Sequence, residues 1–320
     1  MRRVNLAFAA VLIAASSSAA DTYPSKPIRM VVPYAPGGGS DIVARIAGQK
    51  MSEALGQTIV VDNRPGAAGM LGADLAAVAP ADGYTLLLAD SSFTINSSYY
   101  TKQVHYDAQK SFVPVALVAD TPYVLIVHPA VPAKSLAEFI ALAKAQPGKI
   151  NIGSAGNGSG SHLTGELFRL KAGVNFIHIP YKGSGPSTAD VVAGQIQATF
   201  ATAPGAVPFI KAGRLRALVA ASPQRSATLP DVPTFVELGF KDIVVTNWYG
   251  IVAPAGTSPA AVKRLYDEVG RALATSDVRE RLAAVALEPV AQSPDKFRAL
   301  IAAELARWAQ VIRDAKIQTE

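Results

Sequence analysis

The sequence predicts an α/β protein built as two similar lobes. Three observations point there. The chain opens on a βαβαβ order, which builds a parallel sheet with helices on both faces. The order strand, glycine-rich loop, helix, strand then recurs near the middle. Two extended stretches, 123–128 and 248–252, flank that second unit, as if the chain crossed to another lobe and came back.

The first unit begins with the apolar run Ile28–Val32, followed by a proline- and glycine-rich turn over 33–40. Asp41 opens a helix whose stripe is Ile42, Val43, Ile46, Ala47, Met51, Ala54 and Leu55, and Gly56 ends it. A strand over 59–61, a turn over 63–69, a helix over 71–79 and a strand over 85–89 complete the unit. The last strand runs into a polar loop carrying Ser91, Ser92, Thr94 and Asn96. Ligands of open α/β sheets bind beyond the carboxyl ends of the strands, so 33–41 and 90–98 are the loops to watch. The second unit reads as a strand over 149–153, a loop over 154–161, a helix over 162–170 and a strand over 176–179. Helices near 187–193 and 207–212 then alternate with strands near 197–200 and 217–220. Three helices, over 259–275, 277–285 and 294–316, close the chain.

Residues 1–20 read as a secretory leader: Arg2 and Arg3, an apolar run over 4–15, and small residues before Ala20, where cleavage is expected. That run is too short for a spanning helix. The formal charge of +6 is small and dispersed, and no basic cluster interleaves with aromatics, which argues against nucleic acid as a partner. There is no cysteine, hence no disulfide and no thiolate metal site.

PGGGSD, residues 36–41, is the strongest local signal. Its glycines let the backbone approach a ligand, and Ser40 or Asp41 can cap the helix. The free N–H groups of the first turn, with the helix dipole, then make an anion site. The same residues also suit an ordinary tight turn. SAGNGSGSH, residues 154–162, repeats the pattern, with Ser154, Ser159 and Ser161 as further donors; taken alone it also reads as a flexible loop. Neither segment carries GxxxxGK[ST] or GxGxxG, and no GxSxG or HExxH occurs anywhere. His162 is a ligand donor, a base, or a capping and packing residue. Asp41 and His162 would form an acid–base pair across a cleft, but no nucleophile accompanies them. Tyr34, Phe93, Tyr181 and Trp248 shape cleft walls or pack in the core. Arg64 clamps a carboxylate or sits in a surface turn.

The segment YPSKPIRMVVPYAPGGGSDIVAR, with DNRPGAAG and DGYTLLLA, resembles the Bug family, the periplasmic substrate-binding proteins of tripartite tricarboxylate transporters. INIGSAGNGSGSHLTGELF, HIPYKGSGPS, FIKAGRLRAL, LPDVPTFVELG and WYGIVAPAGTSP continue in family order, so the resemblance covers 23–317. It implies a two-lobed periplasmic binding protein fold, type II-like, with parallel-rich sheets and a ligand cleft between the lobes. It further implies a monomeric periplasmic binder of a small carboxylate (a dicarboxylate, tricarboxylate or aromatic acid), with the membrane subunits of a transporter as partners and no cofactor, metal or catalytic residue. In the family the ligand carboxylate lies between the glycine-rich loops, with ordered water. Matched here, these loops supply Gly38, Gly39, Ser40 and Asp41 on one side and Ser154, Gly156, Gly158, Ser159 and His162 on the other. Ser91 and Ser92 line the same cleft, and Tyr34 and Tyr181 flank it. The expected lobes are 21–122 with 251–320, and 123–250 including both crossings. A sensor-coupled binder, or a periplasmic hydrolase or isomerase, is the alternative. One departure stands out: many members have an acidic residue after a phenylalanine, as in FDN, where this chain has Ala201 and Thr202 after Phe200. Its loss favours a less polar distal group on the ligand.

Overall fold

The computed structural model describes residues 23–319. The expected leader, 1–20, lies outside them. Strand β1 (Ile28–Val32) is buried along almost its whole length, as a strand covered on both faces must be. Helix α1 (Gly39–Leu55) buries Val43, Ile46, Ala47, Met51 and Leu55 of the expected stripe, leaves Ile42 half-buried and Ala54 exposed, and ends at Gly56 in the left-handed conformation. Strand β2 (Ile59–Asn63), helix α2 (Met70–Ala77) and strand β3 (Thr85–Asp90) follow, and β1 pairs in parallel with β2 and β3.

The polar run after β3 is not a loop. It is helix α3 (Ser91–Tyr99), and Asp90 caps it by accepting the Ser92 N–H. Serine, threonine and asparagine are poor interior helix residues, so propensity hides this element; the cap and the burial of Phe93 and Ile95 hold it.

Strand β4 (Phe112–Val127) is far longer than the expected crossing. Its first part pairs with β9 (Thr246–Pro254) and β10 (Glu288–Gln292), and its last five residues pair with β7 (Ala198–Thr202) and β8 (Arg216–Ala220). Between β4 and β7 lie α4 (Leu136–Ala145), β5 (Asn151–Ser154), α5 (Gly160–Ala172), β6 (Ile177–Pro180) and α6 (Ser184–Val192); α7 (Ala203–Lys211) joins β7 to β8. After β9 come α8 (Pro259–Ala274) and α9 (Ser276–Ala283), and α10 (Pro294–Asp314) follows β10.

The strand order is β2-β1-β3-β9-β4-β7-β5-β6, with β8 and β10 also on β4. The arms β2-β1-β3 and β6-β5-β7 are parallel, as expected. The middle is not: every pair made by β4 or β9 is antiparallel, because the chain leaves along one and returns along the other. "Parallel-rich" therefore holds for the arms alone. β10 went unforeseen; Pro289 and a register shift mark it as an irregular edge strand. No helix among the described residues is long and apolar enough to cross a membrane.

Helix α10 packs on α3 and β4, and its Phe297 meets Trp248 edge to face at 5.4 Å. Gly250, on β9, lies under the Phe297 ring, where a Cβ would overlap ring atoms. Gly250→Ala should therefore overpack this contact and destabilise the protein by about 1–3 kcal/mol, read as a lower urea midpoint. An unchanged midpoint would mean that α10 does not press on the strand.

Candidate functional site

Helices that follow parallel strands start at the strands' carboxyl ends, so their N-termini gather on one side of each arm. Among the described residues, five helices begin at one small cavity between the arms. Helix α1 brings Gly38, Gly39 and Ser40, α3 brings Asp90 and Ser92, and α5, α6 and α7 bring Ser159, Ser184 and Thr202. Tyr34, beyond β1, and Tyr123, Asn247 and Tyr249, on the crossing strands, complete the wall with Ala155.

The arms touch here. The Ala35 N–H donates to the Lys182 carbonyl at 3.0 Å, and a Cβ on Gly185 would strike the Pro36 carbonyl. Backbone meets backbone, which is why glycine occupies 185. Glycine at 39 has a different cause: a Cβ there would overlap the Tyr249 hydroxyl. Gly160, the first residue of α5, stands in the same relation to the Tyr123 hydroxyl.

No lysine, arginine or histidine lines the cavity. Its polarity comes from donors. α1, α6 and α7 have no side-chain cap, so their first-turn N–H groups remain available, whereas Asp90 and Ser159 cap α3 and α5. Thr202 Oγ1, Asn247 Nδ2 and the Tyr249 hydroxyl are buried and make no well-formed hydrogen bond. Asn247 is held in place because its Oδ1 accepts from the Ser91 N–H and the Tyr123 hydroxyl, at 3.2 and 2.9 Å. Burial raises the phenols of Tyr34, Tyr123 and Tyr249, so all three stay protonated donors. An unsatisfied buried donor costs about 1–3 kcal/mol, so a cavity with three of them is built for an acceptor-rich ligand. The cavity's acid is Asp90, whose carboxyl burial pushes up to about 7.

Of the residues expected at the site, Tyr34, Gly38, Gly39, Ser40, Ser92 and Ser159 line this cavity. The others do not. Asp41 neither caps α1 nor faces the cavity: Gly38 is the N-cap, and the Asp41 carboxylate takes the Gly37 N–H, Asn63 and Arg45. Burial raises that carboxyl, but the Arg45, Gly37 and Asn63 hydrogen bonds outweigh it and hold it below the usual range. Ser91 lies behind the wall on Asn247, Ser154 bonds His178, and Gly156 and Gly158 pack against Ala68 and against the rings of Tyr99 and Tyr100. The Tyr181 hydroxyl donates to Asp190. His162 turns to a separate cleft, so an Asp41–His162 pair does not exist. Phe93 stacks on Tyr106 and Trp248 meets Phe297, which makes both core residues. Arg64 is half-exposed on Asp62, a turn residue. At the FDN departure, Ala201 is buried in the core beside Val124 while Thr202 faces the cavity. An acid at 201 would point away from this cavity, so its absence carries no argument about a group bound there.

Sequence reasoning missed Asp90, Tyr123, Ser184, Thr202, Asn247 and Tyr249. Ser184 sits in the KGSG segment, another glycine–serine helix start and hence a readable signal. Tyr123, Asn247 and Tyr249 reach the cavity only through long-range strand pairing, which local pattern does not reveal.

Residues 43–317 match the family model TctC, tripartite tricarboxylate transporter family receptor. Protein BugT of Bordetella pertussis is 40% identical over 301 residues, covering 94% of this chain and 92% of BugT. The structure of periplasmic binding protein BugD superposes with a TM-score of 0.91 at 34% identity, covering 93% of this chain and 100% of that one. R. palustris Rpa4515 with adipate gives a TM-score of 0.89 at 32% identity over the same shares.

His162 stacks on His178 at 4.2 Å between ring centres, and its Nδ1 accepts the Gly158 N–H. Burial is the main cause that lowers both: His162 to about 3, with help from His178, and His178 to about 4. Unfolded histidine titrates near ~6.5, so the unfolded chain binds protons that the folded pair refuses. The pair's contribution to stability is full above that value and falls as pH drops toward about 4. Urea unfolding across this range should show the loss, and His178→Gln should flatten it. An equal slope in both proteins would contradict the assignment.

Proposed function

The chain belongs to the TctC family of tripartite tricarboxylate transporter receptors, and from that premise we propose that it captures a small carboxylate in the cavity between its arms and delivers it to the membrane subunits of such a transporter. It is a periplasmic solute-binding protein: its family is described as a receptor, and BugD is named as a periplasmic binding protein. Export by cleavage after Ala20 belongs to the same reading. One observation carries it: three adjoining buried side-chain donors that make no well-formed hydrogen bond, and three uncapped helix N-termini, meet at a cavity that lacks any basic side chain. Such an arrangement favours a compact anion with several acceptor oxygens, bound by hydrogen bonds and helix dipoles. A relative holding adipate supports a carboxylate of that class.

The proposed lobes are 21–122 with 251–320, and 123–250. Contact between residues 35–38 of one and 182–185 of the other is then the closed state. Release would part these backbones by hinge motion where β4 and β9 cross.

A thermal-shift screen of succinate, adipate, citrate and benzoate should give a ligand that raises the melting temperature by linkage. With that ligand, Thr202→Val and Tyr249→Phe should each weaken binding by about 1.5–3 kcal/mol, the worth of a hydrogen bond to a charged group. Arg64→Ala should change it by less than about 0.5 kcal/mol, like other surface substitutions. Calorimetry reads all three, and the reverse ranking would replace this model with an arginine clamp.

A further inference from the structure

An acid in the wall of an anion cavity needs a reason. We propose that Asp90 contacts the bound carboxylate as a neutral, protonated acid, so that capture of the anion takes up one proton. This rests on the carboxylate reading above.

Asp90 lines the cavity and is 6% exposed. Its Oδ1 accepts the Ser92 N–H at 3.0 Å and the Tyr34 hydroxyl at 3.2 Å. Those partners are neutral. The titratable groups that feel its charge are Tyr34 beyond β1, Tyr106 after α3, Tyr123 on β4 and Tyr249 on β9, all phenols. Among the described residues no lysine, arginine or histidine faces it. A bound carboxylate would therefore share this cavity with Asp90 and nothing cationic. Two carboxylates so close in a dry site do not both ionise. One proton turns their repulsion into an O–H···O⁻ hydrogen bond, which is short and strong. The proton comes from solvent, sits on the carboxyl oxygen not engaged by Ser92 and Tyr34, and returns on release. Burial already holds this carboxyl near neutrality without a ligand, and a second negative charge moves it further in the same direction.

The competing role is an ionised Asp90 that accepts from a ligand ammonium or hydroxyl. Calorimetry separates the two. The leaderless wild-type protein is titrated with adipate, or with citrate or benzoate if either shifts melting more, from about pH 6 to about pH 9, the window around the value to which burial brings Asp90. Each titration is run in two buffers of different ionisation enthalpy. The expected result is uptake of about one proton at the alkaline end, with Kd rising about tenfold per pH unit above neutrality. Asp90→Asn keeps a good helix cap and a hydrogen-bond donor. It should take up no proton, hold Kd within about threefold over the range, and bind at least about tenfold more tightly than wild type at its alkaline end. Wild-type binding without proton uptake overturns the proposal, even if the variant fails to fold. So does an Asp90→Asn protein that melts normally yet binds at no pH. If no carboxylate in the panel binds wild type, the carboxylate reading itself fails and this inference falls with it.

Discussion

On the function proposed above, the site answers one physical demand: holding an anion in a cavity without a cation to neutralise it. Removing a carboxylate from water is expensive, and only a dense set of oriented donors offsets that loss. Three uncapped helix N-termini and several hydroxyls at one cavity are such a set. The need for donors at close range explains the glycines. At 185 the chain gives up its side chain so that two backbones can meet, and at 39 and 160 so that a helix can start directly under a tyrosine hydroxyl. The last two positions are related across the cavity: Gly39 lies under Tyr249 of β9, and Gly160 under Tyr123 of β4. Each arm thus pins one cavity-side helix to a crossing strand by the same device.

The crossing strands therefore do more than connect. β4 and β9 pair with each other and carry Tyr123, Asn247 and Tyr249 to the cavity, so one antiparallel ribbon serves as both tether and wall. On the proposed closure, donors left unsatisfied there weaken the ligand-free closed state, and a ligand that satisfies them stabilises it. A site of this kind links binding to closure without any dedicated switch, since the donors of the two arms meet one acceptor only when the arms are together.

Much of the fold was legible in the sequence. The apolar run of β1, the stripe of α1 and its Gly56 stop, and the twofold strand–loop–helix order are periodic signals of known origin. α3 was not legible as a helix, because its serines, threonine and asparagine signal a loop, and only Asp90 at its cap argued otherwise. The site was half legible. Glycine and serine at 38–40 and Ser159 announce helix N-termini, and they are at the cavity. His162 and Asp41 stand in the same motifs but on other faces of their helices, and motif spacing alone does not say which face turns inward. Thr202 and Tyr249 depend on strand register, which is set by pairing far along the chain.

The most direct measurement is a crystal structure of the protein with a bound dicarboxylate. This account places a carboxylate group in the cavity, with its oxygens at about 2.7–3.2 Å from the Gly39 or Ser40 N–H and from the Thr202 and Tyr249 hydroxyls. A carboxylate found instead against Arg169 and Lys316, in the cleft beside His162 and His178, would contradict it.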